Sequence, residues 1–260
     1  MDLIEKSIIK TYRKEIWNKF IKAINNYNLI EENDKIAVCI SGGKDSFLLA
    51  KCLQELQRHG KIDFDLKYIM INPGYDEKYL KHIKDNATKL KINLEIFDTD
   101  IFEVVKKINH KSNCFICSKM RRGHLYSIAK ELGCNKIALG HHLDDVIETT
   151  FLNMFYNGIY ETMRPILNSD NFDGMKLIRP LYLVEEKSVI KWQTYNDLIF
   201  KDYNCGFKKD LSKRIYLKKI INELRSGNKF FNANIINALE KVNLNNLNGY
   251  ILDKKDHRNY

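Results

Sequence analysis

The stretch Ser41-Gly42-Gly43-Lys44-Asp45-Ser46 restricts the folds open to this chain more than any other. It follows the apolar run Ile36-Ala37-Val38-Cys39-Ile40 and precedes Phe47-Leu48-Leu49-Ala50. A buried strand that turns through two glycines into a helix builds a phosphate cradle. The first turn of a helix offers free backbone N–H groups and a partial positive charge, and glycine lets the backbone approach an anion closely. Ser41 and Ser46 add hydroxyl donors, and Lys44 adds a charge. The spacing excludes a Walker A loop, which needs glycine where Val38 stands and Ser or Thr where Asp45 stands. It also lacks the G-x-G-x-x-G spacing of dinucleotide binders. A plain glycine turn is the alternative; the whole hexapeptide between strand and helix favours the anion site.

Strand-like runs at 35–40, 66–72, 93–97 and 136–140 alternate with helix-like runs at 45–58, 76–90, 101–109, 116–132 and 143–156. This alternation predicts an α/β fold built on a parallel sheet with helices on both faces. Ligands of such sheets bind at the carboxyl ends of strands, where 41–46, 72–75 and 140–145 are expected to meet. Residues 4–29 read as an amphipathic helix, with Ile9, Tyr12, Ile16, Phe20 and Ile24 at near-helical spacing. Residues 185–198, 211–225 and 229–243 read as helices, no strong strand follows 183, and 244–260 reads as a loose polar tail. The expected organisation is an N-terminal helix (1–30), a nucleotide-binding domain (31–183), a helical C-terminal extension (184–245) and a tail (246–260).

A second motif, Gly140-His141-His142-Leu143-Asp144-Asp145, follows the strand-like Lys136–Leu139. It brings histidine and carboxylates to the mouth of the sheet. Carboxylates beside a nucleotide hold Mg²⁺ in many sites, which makes His141, Asp144 and Asp145 catalytic candidates. Helix capping is the competing role for Asp144 and Asp145.

Cys114-Phe115-Ile116-Cys117 is a C-x-x-C at the start of a predicted helix. Alone it fits a redox pair, half a zinc site or half a cluster site. No second C-x-x-C is present to close a four-cysteine zinc site. Cys205, in the polar Tyr203-Asn204-Cys205-Gly206, is the best third thiolate; Cys39, Cys52 and Cys134 lie in core-like segments. Three thiolates without an obvious fourth point to a [4Fe–4S] cluster with one iron left open. A zinc site completed by His110 or His124 is the rival.

The formal charge is +10, which fits a polyanionic partner such as nucleic acid. Joint richness in Lys, Asn and Ile, which codon bias alone produces, is the competing source of that charge. Lys119, Arg121 and Arg122 follow the C-x-x-C, and Lys208, Lys209, Lys213 and Arg214 follow Cys205, a placement that fits a phosphate-backbone track. No stretch approaches the ~20 continuous apolar residues that span a bilayer, so no membrane partner is expected. Met1-Asp2-Leu3-Ile4-Glu5-Lys6 lacks the apolar region of a signal peptide, and a cytoplasmic location is expected. In such a protein the six cysteines favour metal, cluster or catalytic use over disulfides.

Taken in order, these motifs resemble the tRNA 2-thiocytidine synthetases. The hexapeptide resembles the PP-loop, S-G-G-x-D-S, of ATP pyrophosphatases. Asn72-Pro73-Gly74-Tyr75, Arg121-Arg122-Gly123, the Gly140–Asp145 run, Phe151-Leu152-Asn153-Met154-Phe155-Tyr156-Asn157-Gly158 and Arg179-Pro180-Leu181 resemble that family too, over roughly residues 30–225. The resemblance implies a Rossmann-like adenine nucleotide α-hydrolase fold. It implies a cluster on Cys114, Cys117 and Cys205, and ATP-dependent replacement of the C2 oxygen of cytidine-32 in tRNA by sulfur, releasing AMP and pyrophosphate. Ser41, Gly42, Gly43, Lys44, Ser46 and Gly140 would then hold ATP, and Asp45 would orient the loop or bind Mg²⁺. Sulfur would come from a donor such as a cysteine desulfurase persulfide, and a homodimer is compatible with this reading. Where familiar members carry a further cysteine just before the third ligand, this chain has Tyr203 and Asn204. The rival functions are a lysidine-type tRNA ligase, thiolation or desulfurisation of another tRNA base or a small molecule, and a non-enzymatic Fe–S or zinc tRNA-binding module.

Overall fold

The computed structural model describes residues 3–108, 113–204, 212–252 and 255–259. Two units emerge, Met1–Val146 with Met163–Asp210, and Ile147–Thr162 with Leu211–Tyr260.

The first unit is built on β1 (Asp34–Cys39), β2 (Phe64–Asn72), β3 (Leu94–Asp98), β4 (Lys136–Ala138), β5 (Ile166–Asn168) and β6 (Lys176–Ile178), in the order β3-β2-β1-β4-β6-β5. All neighbours are parallel except β5, which runs antiparallel to β6 at the edge. Ile36–Val38 of β1 pair with Leu66–Tyr68 on one side and Lys136–Ala138 on the other, and are buried, as central parallel strands require. The order reverses direction between β1 and β4, which opens a crevice at their carboxyl ends. The anticipated parallel sheet is therefore present, but β5 and β6 were not foreseen. Each has three residues, too few to show an alternation.

Helices α1 (Leu3–Lys6) and α2 (Asn18–Asn26) flank two wide π-turns, Ser7–Thr11 and Arg13–Trp17. Ile16, Phe20 and Ile24 are buried as expected, but Ile4 and Ile8 take the core positions that helical spacing assigns to Ile9 and Tyr12. The cause is geometric: the Tyr12 amide donates five residues back to the Ser7 carbonyl at 2.8 Å, which rotates the preceding turn onto another face. The remaining helices of this unit are α3 (Lys44–His59), α4 (Glu77–Lys89), α5 (Ile101–Ile108), α6 (Asn113–Glu131) and α8 (Glu186–Tyr195), with α7 (Leu143–Leu152) starting in it. Lys136 is fully buried at the start of β4. Its ammonium is 2.6 Å from Asp34, 2.8 Å from Glu31 and 3.2 Å from the Leu29 carbonyl. Removing one partner of such a buried pair costs ~3–5 kcal/mol.

The second unit holds α9 (Ser212–Gly227), α10 (Phe231–Glu240) and a hairpin of β7 (Gly249–Leu252) and β8 (Lys255–Arg258). The hairpin corrects the reading of 244–260 as a loose tail. Tyr250 and His257 stack across it at 4.9 Å, a cross-strand pair that polar composition conceals.

Candidate active site

Gly43 is the last extended residue before α3, and Gly42 takes φ +92°. A side chain at Gly42 would meet Ile83 Cδ1 at 2.8 Å, so only glycine makes this turn. The loop is tied to its own helix. The Ser41 amide and hydroxyl both lie 3.2 Å from Ser46 Oγ, and the Ser46 hydroxyl donates to the Gly43 carbonyl at 2.9 Å. Gly140, at the end of the loop after β4, lies flat against this first turn. A Cβ there would sit 2.9 Å from Ser46 N and from Asp45 C. Absence of a side chain at Gly140 therefore lets the two loops share one wall.

Asp45 faces that wall. Its Oδ1 is buried with no hydrogen-bond partner, and His142 Nε2 stands 3.6 Å away, beyond bonding reach. Burial raises the Asp45 carboxyl above its ordinary range, against the pull of His142 and Lys44. His142 is braced on its other side by reciprocal bonds. Its amide donates to Asp145 Oδ2 at 3.0 Å and the Asp145 amide donates to its Nδ1 at 3.4 Å. Lys44 turns away from the cavity, 3.2 Å from Asp45 Oδ2 and 3.4 Å from Glu186 Oε1. Asp144 does not reach the cavity either: its Oδ2 accepts the Glu186 amide at 2.6 Å, at the first residue of α8. The capping role weighed for this carboxylate is thus served on a neighbouring helix.

A cavity of about 490 Å³ lies at the crevice. Ser41, Asp45, Ser46, Gly140, His141 and Asp145 line one part, and Ser118, Arg121, Arg122 and Leu125 of α6 line another. Arg121 donates to the Tyr75 hydroxyl at 3.1 Å. Arg121 and Arg122, expected on a phosphate-backbone track, line the crevice cavity, while Lys119 is exposed on α6. Lys213 belongs to the second unit, and Lys208 and Lys209 lie outside the described residues.

Arg179 is the residue that sequence reasoning missed as a site group, naming it only within Arg179-Pro180-Leu181. Its Nε–H donates to His141 Nδ1 at 3.2 Å, and its Nη1 donates to the Arg164 carbonyl. A donor on Nδ1 requires that nitrogen to be bare, so His141 carries its proton on Nε2. Burial, then the Arg179 charge, push the His141 pKa down to about 4. His141 is therefore expected to stay neutral across pH 5–8. The folded state refuses a proton that the unfolded chain accepts, so this residue's contribution to stability is full above about pH 6.5 and falls as pH drops toward 4. A ¹⁵N-histidine NMR titration showing an Nε2–H tautomer with no transition near pH 6.5 is the expected result.

Cys114 and Cys117 lie one turn apart at the start of α6, Cys114 half-buried and Cys117 buried. Cys117 packs in a cluster with Ile71, Ile101, Phe102 and Val105, and Tyr203 packs against the same cluster. The Tyr203 ring meets Tyr75 at 4.6 Å and stacks on Phe102 at 6.0 Å. Cys205 and His110 lie outside the described residues. Among the described residues no three His, Cys, Asp or Glu side chains are arranged to hold a metal ion by themselves. Cys39 and Cys134 are buried in a separate core cluster, and Cys52 is buried on α3.

A parallel sheet whose first strand runs through Ser-Gly-Gly-Lys-Asp-Ser into a helix, with a polar crevice at its switch point, defines a PP-loop nucleotide-binding protein. The PP-loop domain family matches residues 12–224. A tRNA-cytidine(32) 2-sulfurtransferase 1 of Francisella tularensis subsp. tularensis is 36% identical over 243 residues, covering 92% of this chain and 90% of the relative. A tRNA-cytidine(32) 2-sulfurtransferase of Neisseria meningitidis serogroup C is 41% identical over 229 residues, covering 85% and 69%. This chain belongs to the tRNA-cytidine(32) 2-sulfurtransferase family of PP-loop proteins. The solved U34-tRNA thiolase NcsA from Methanococcus maripaludis, with its [4Fe-4S] cluster, shares the fold at TM-score 0.67 and 22% identity, covering 86% of this chain and 76% of that one. No described helix is long and apolar enough to cross a membrane.

Proposed function

We propose that this chain is an ATP-dependent tRNA thiolase that replaces the C2 oxygen of a cytidine with sulfur, at position 32 as in the names of its relatives. One observation carries the reading: the loop 41–46 and the α6 face that follows Cys117 line the same cavity. Activation of the base and delivery of sulfur then have one place to occur. A lysidine-type ligase would share the loop but leave the C-x-x-C without work.

An amide-like C2 oxygen is a poor leaving group. Its attack on the α-phosphorus of ATP forms an adenylated base and expels pyrophosphate. The amides of 42–46 and the Ser41 and Ser46 hydroxyls receive the leaving pyrophosphate, and Arg121 and Arg122 face its charge. His141, a neutral Nε2–H donor lining the cavity, would bond a phosphoryl oxygen. The orphaned Asp45 Oδ1 is the oxygen that a hard cation would satisfy, so Mg²⁺ fits there and would neutralise charge developing on the phosphates. Sulfide-level sulfur then attacks C2 and AMP leaves. Cys114 and Cys117, with Cys205, supply thiolates suited to a [4Fe–4S] cluster, whose chemistry when bound is to hold sulfur at an iron without a protein ligand. On this reading the sulfur originates from a persulfide donor such as a cysteine desulfurase, two electrons from a thiol reductant (released as a disulfide) bring that sulfur to the sulfide level, and the enzyme works in the cytoplasm.

The test is nucleoside mass spectrometry of tRNA from a strain lacking the gene. Loss of 2-thiocytidine, restored by the wild-type gene, is expected. Unchanged 2-thiocytidine with loss of a different nucleoside would sink the assignment of the base.

A further inference from the structure

The second unit carries aromatic rings in solvent that the catalytic reading leaves without a role. The turn Asn153–Asn157 holds Phe155 at 56% and Tyr156 at 40% exposure. The turn is stiff. Asn157 Nδ2 donates to Asn153 Oδ1 at 2.9 Å, Asn153 Nδ2 donates to the Glu161 carbonyl at 3.0 Å, and the Ile159 amide donates to the Asn153 carbonyl at 3.1 Å. The Tyr160 hydroxyl anchors the following residues on the Ala238 carbonyl at 3.1 Å. These rings are therefore displayed on a fixed loop.

Beside them runs a basic helix. In α9, Lys213, Arg214, Lys218, Lys219 and Arg225 stand against a single acid, Glu223. Lys213 Nζ lies 4.8 Å over the centre of the Tyr156 ring. Tyr216, one turn further on and thus on the same side as Lys213, is 59% exposed. Leu217 and Ile221 provide the face that the helix buries.

Rings interleaved with lysines fit a chain of flat bases joined by phosphates. The same mixture disfavours a second copy, since a two-fold interface would bring the lysines of both chains together. We propose that the turn Asn153–Asn157 and the first half of α9 form a stacking platform for unpaired nucleotides of the RNA substrate. Tyr156 and Tyr216 take bases, and Lys213 takes a neighbouring phosphate. This rests on the tRNA reading above.

The experiment is fluorescence anisotropy of the full-length protein with unmodified tRNA over a salt series. Tyr156→Ala is expected to weaken binding ~5- to 150-fold, the range for loss of one stacked base. Tyr156→Phe, which keeps the ring face, should bind like wild type. Lys213→Ala should lower the salt slope by about one contact on every tRNA tested. A melting shift on adding ATP, retained in each variant, shows that the fold persists. Failure of wild type to bind any tRNA would overturn this inference together with the substrate reading. Wild-type binding with Tyr156→Ala and Lys213→Ala within twofold of it would overturn the platform alone. Conversion of a dimer to a monomer by Tyr156→Ala in sedimentation velocity would overturn it in favour of an interface between copies.

Discussion

Replacing Asp45 by asparagine is expected to lower tRNA-dependent pyrophosphate release by ~10²–10³-fold, with the protein still folded. The size follows from the setting. Asp45 Oδ1 is buried and without a hydrogen-bond partner, although Oδ2 is paired with Lys44, so a bound cation would supply a bond that Oδ1 lacks. Asparagine keeps the shape and the contact with Gly140 but removes the charge that a cation needs. Stability should move the other way. Burial holds the Asp45 pKa above its unfolded value, so the folded chain gains stability as pH falls, and the neutral amide removes that dependence. Calorimetry should show an apo melting temperature equal to or above wild type and no further rise on adding Mg²⁺ and ATP. Wild-type pyrophosphate release in this variant would remove Asp45 from the site.

Replacing Cys114 or Cys117 by alanine is expected to abolish both the iron and the thiolation activity of anaerobically purified protein, which should otherwise hold about four irons per chain. Replacing Cys39 or Cys52 should abolish neither. The thiolate is the ligand, and burial pushes the Cys39 thiol up to about 12 and raises Cys52 and Cys134 as well, which keeps these three protonated. Iron and labile sulfide assays on each variant make the measurement. Cys117 also packs in the core, so the Cys117→Ser protein provides a second substitution closer in size. Full iron in the Cys114→Ala protein, or stoichiometric zinc without sulfide in wild type, would contradict the cluster.

The parts of the site that were legible in sequence are those set by local backbone. Gly42 at positive φ, Gly43 ahead of α3 and the C-x-x-C at the start of α6 each follow from a few adjacent residues. Gly140 was placed correctly at the strand end, but its contact with the Asp45–Ser46 backbone joins loops far apart in the chain. The same distance hid Arg179, which meets His141 from 38 residues away, after a strand too short to be recognised. Asp144 shows the converse limit. Two adjacent aspartates look alike in sequence, yet one braces His142 and the other caps α8. Helical periodicity failed at residues 4–12, because a π-turn shifts which side chains face inward.

Lys44 is not idle before a nucleotide arrives. Its ammonium is already shared between Asp45 and Glu186. A phosphate that enters the loop must compete with Glu186 for that charge, so part of the attraction is spent on exchange and the resting affinity is reduced. The same carboxylate stands ready when the reaction is over. On the proposed reaction, pyrophosphate left in the loop would meet the same competitor for Lys44. Asp144 keeps Glu186 in position by holding this first residue of α8, so the Lys44 ion pair is built into the helix start rather than left to a mobile side chain.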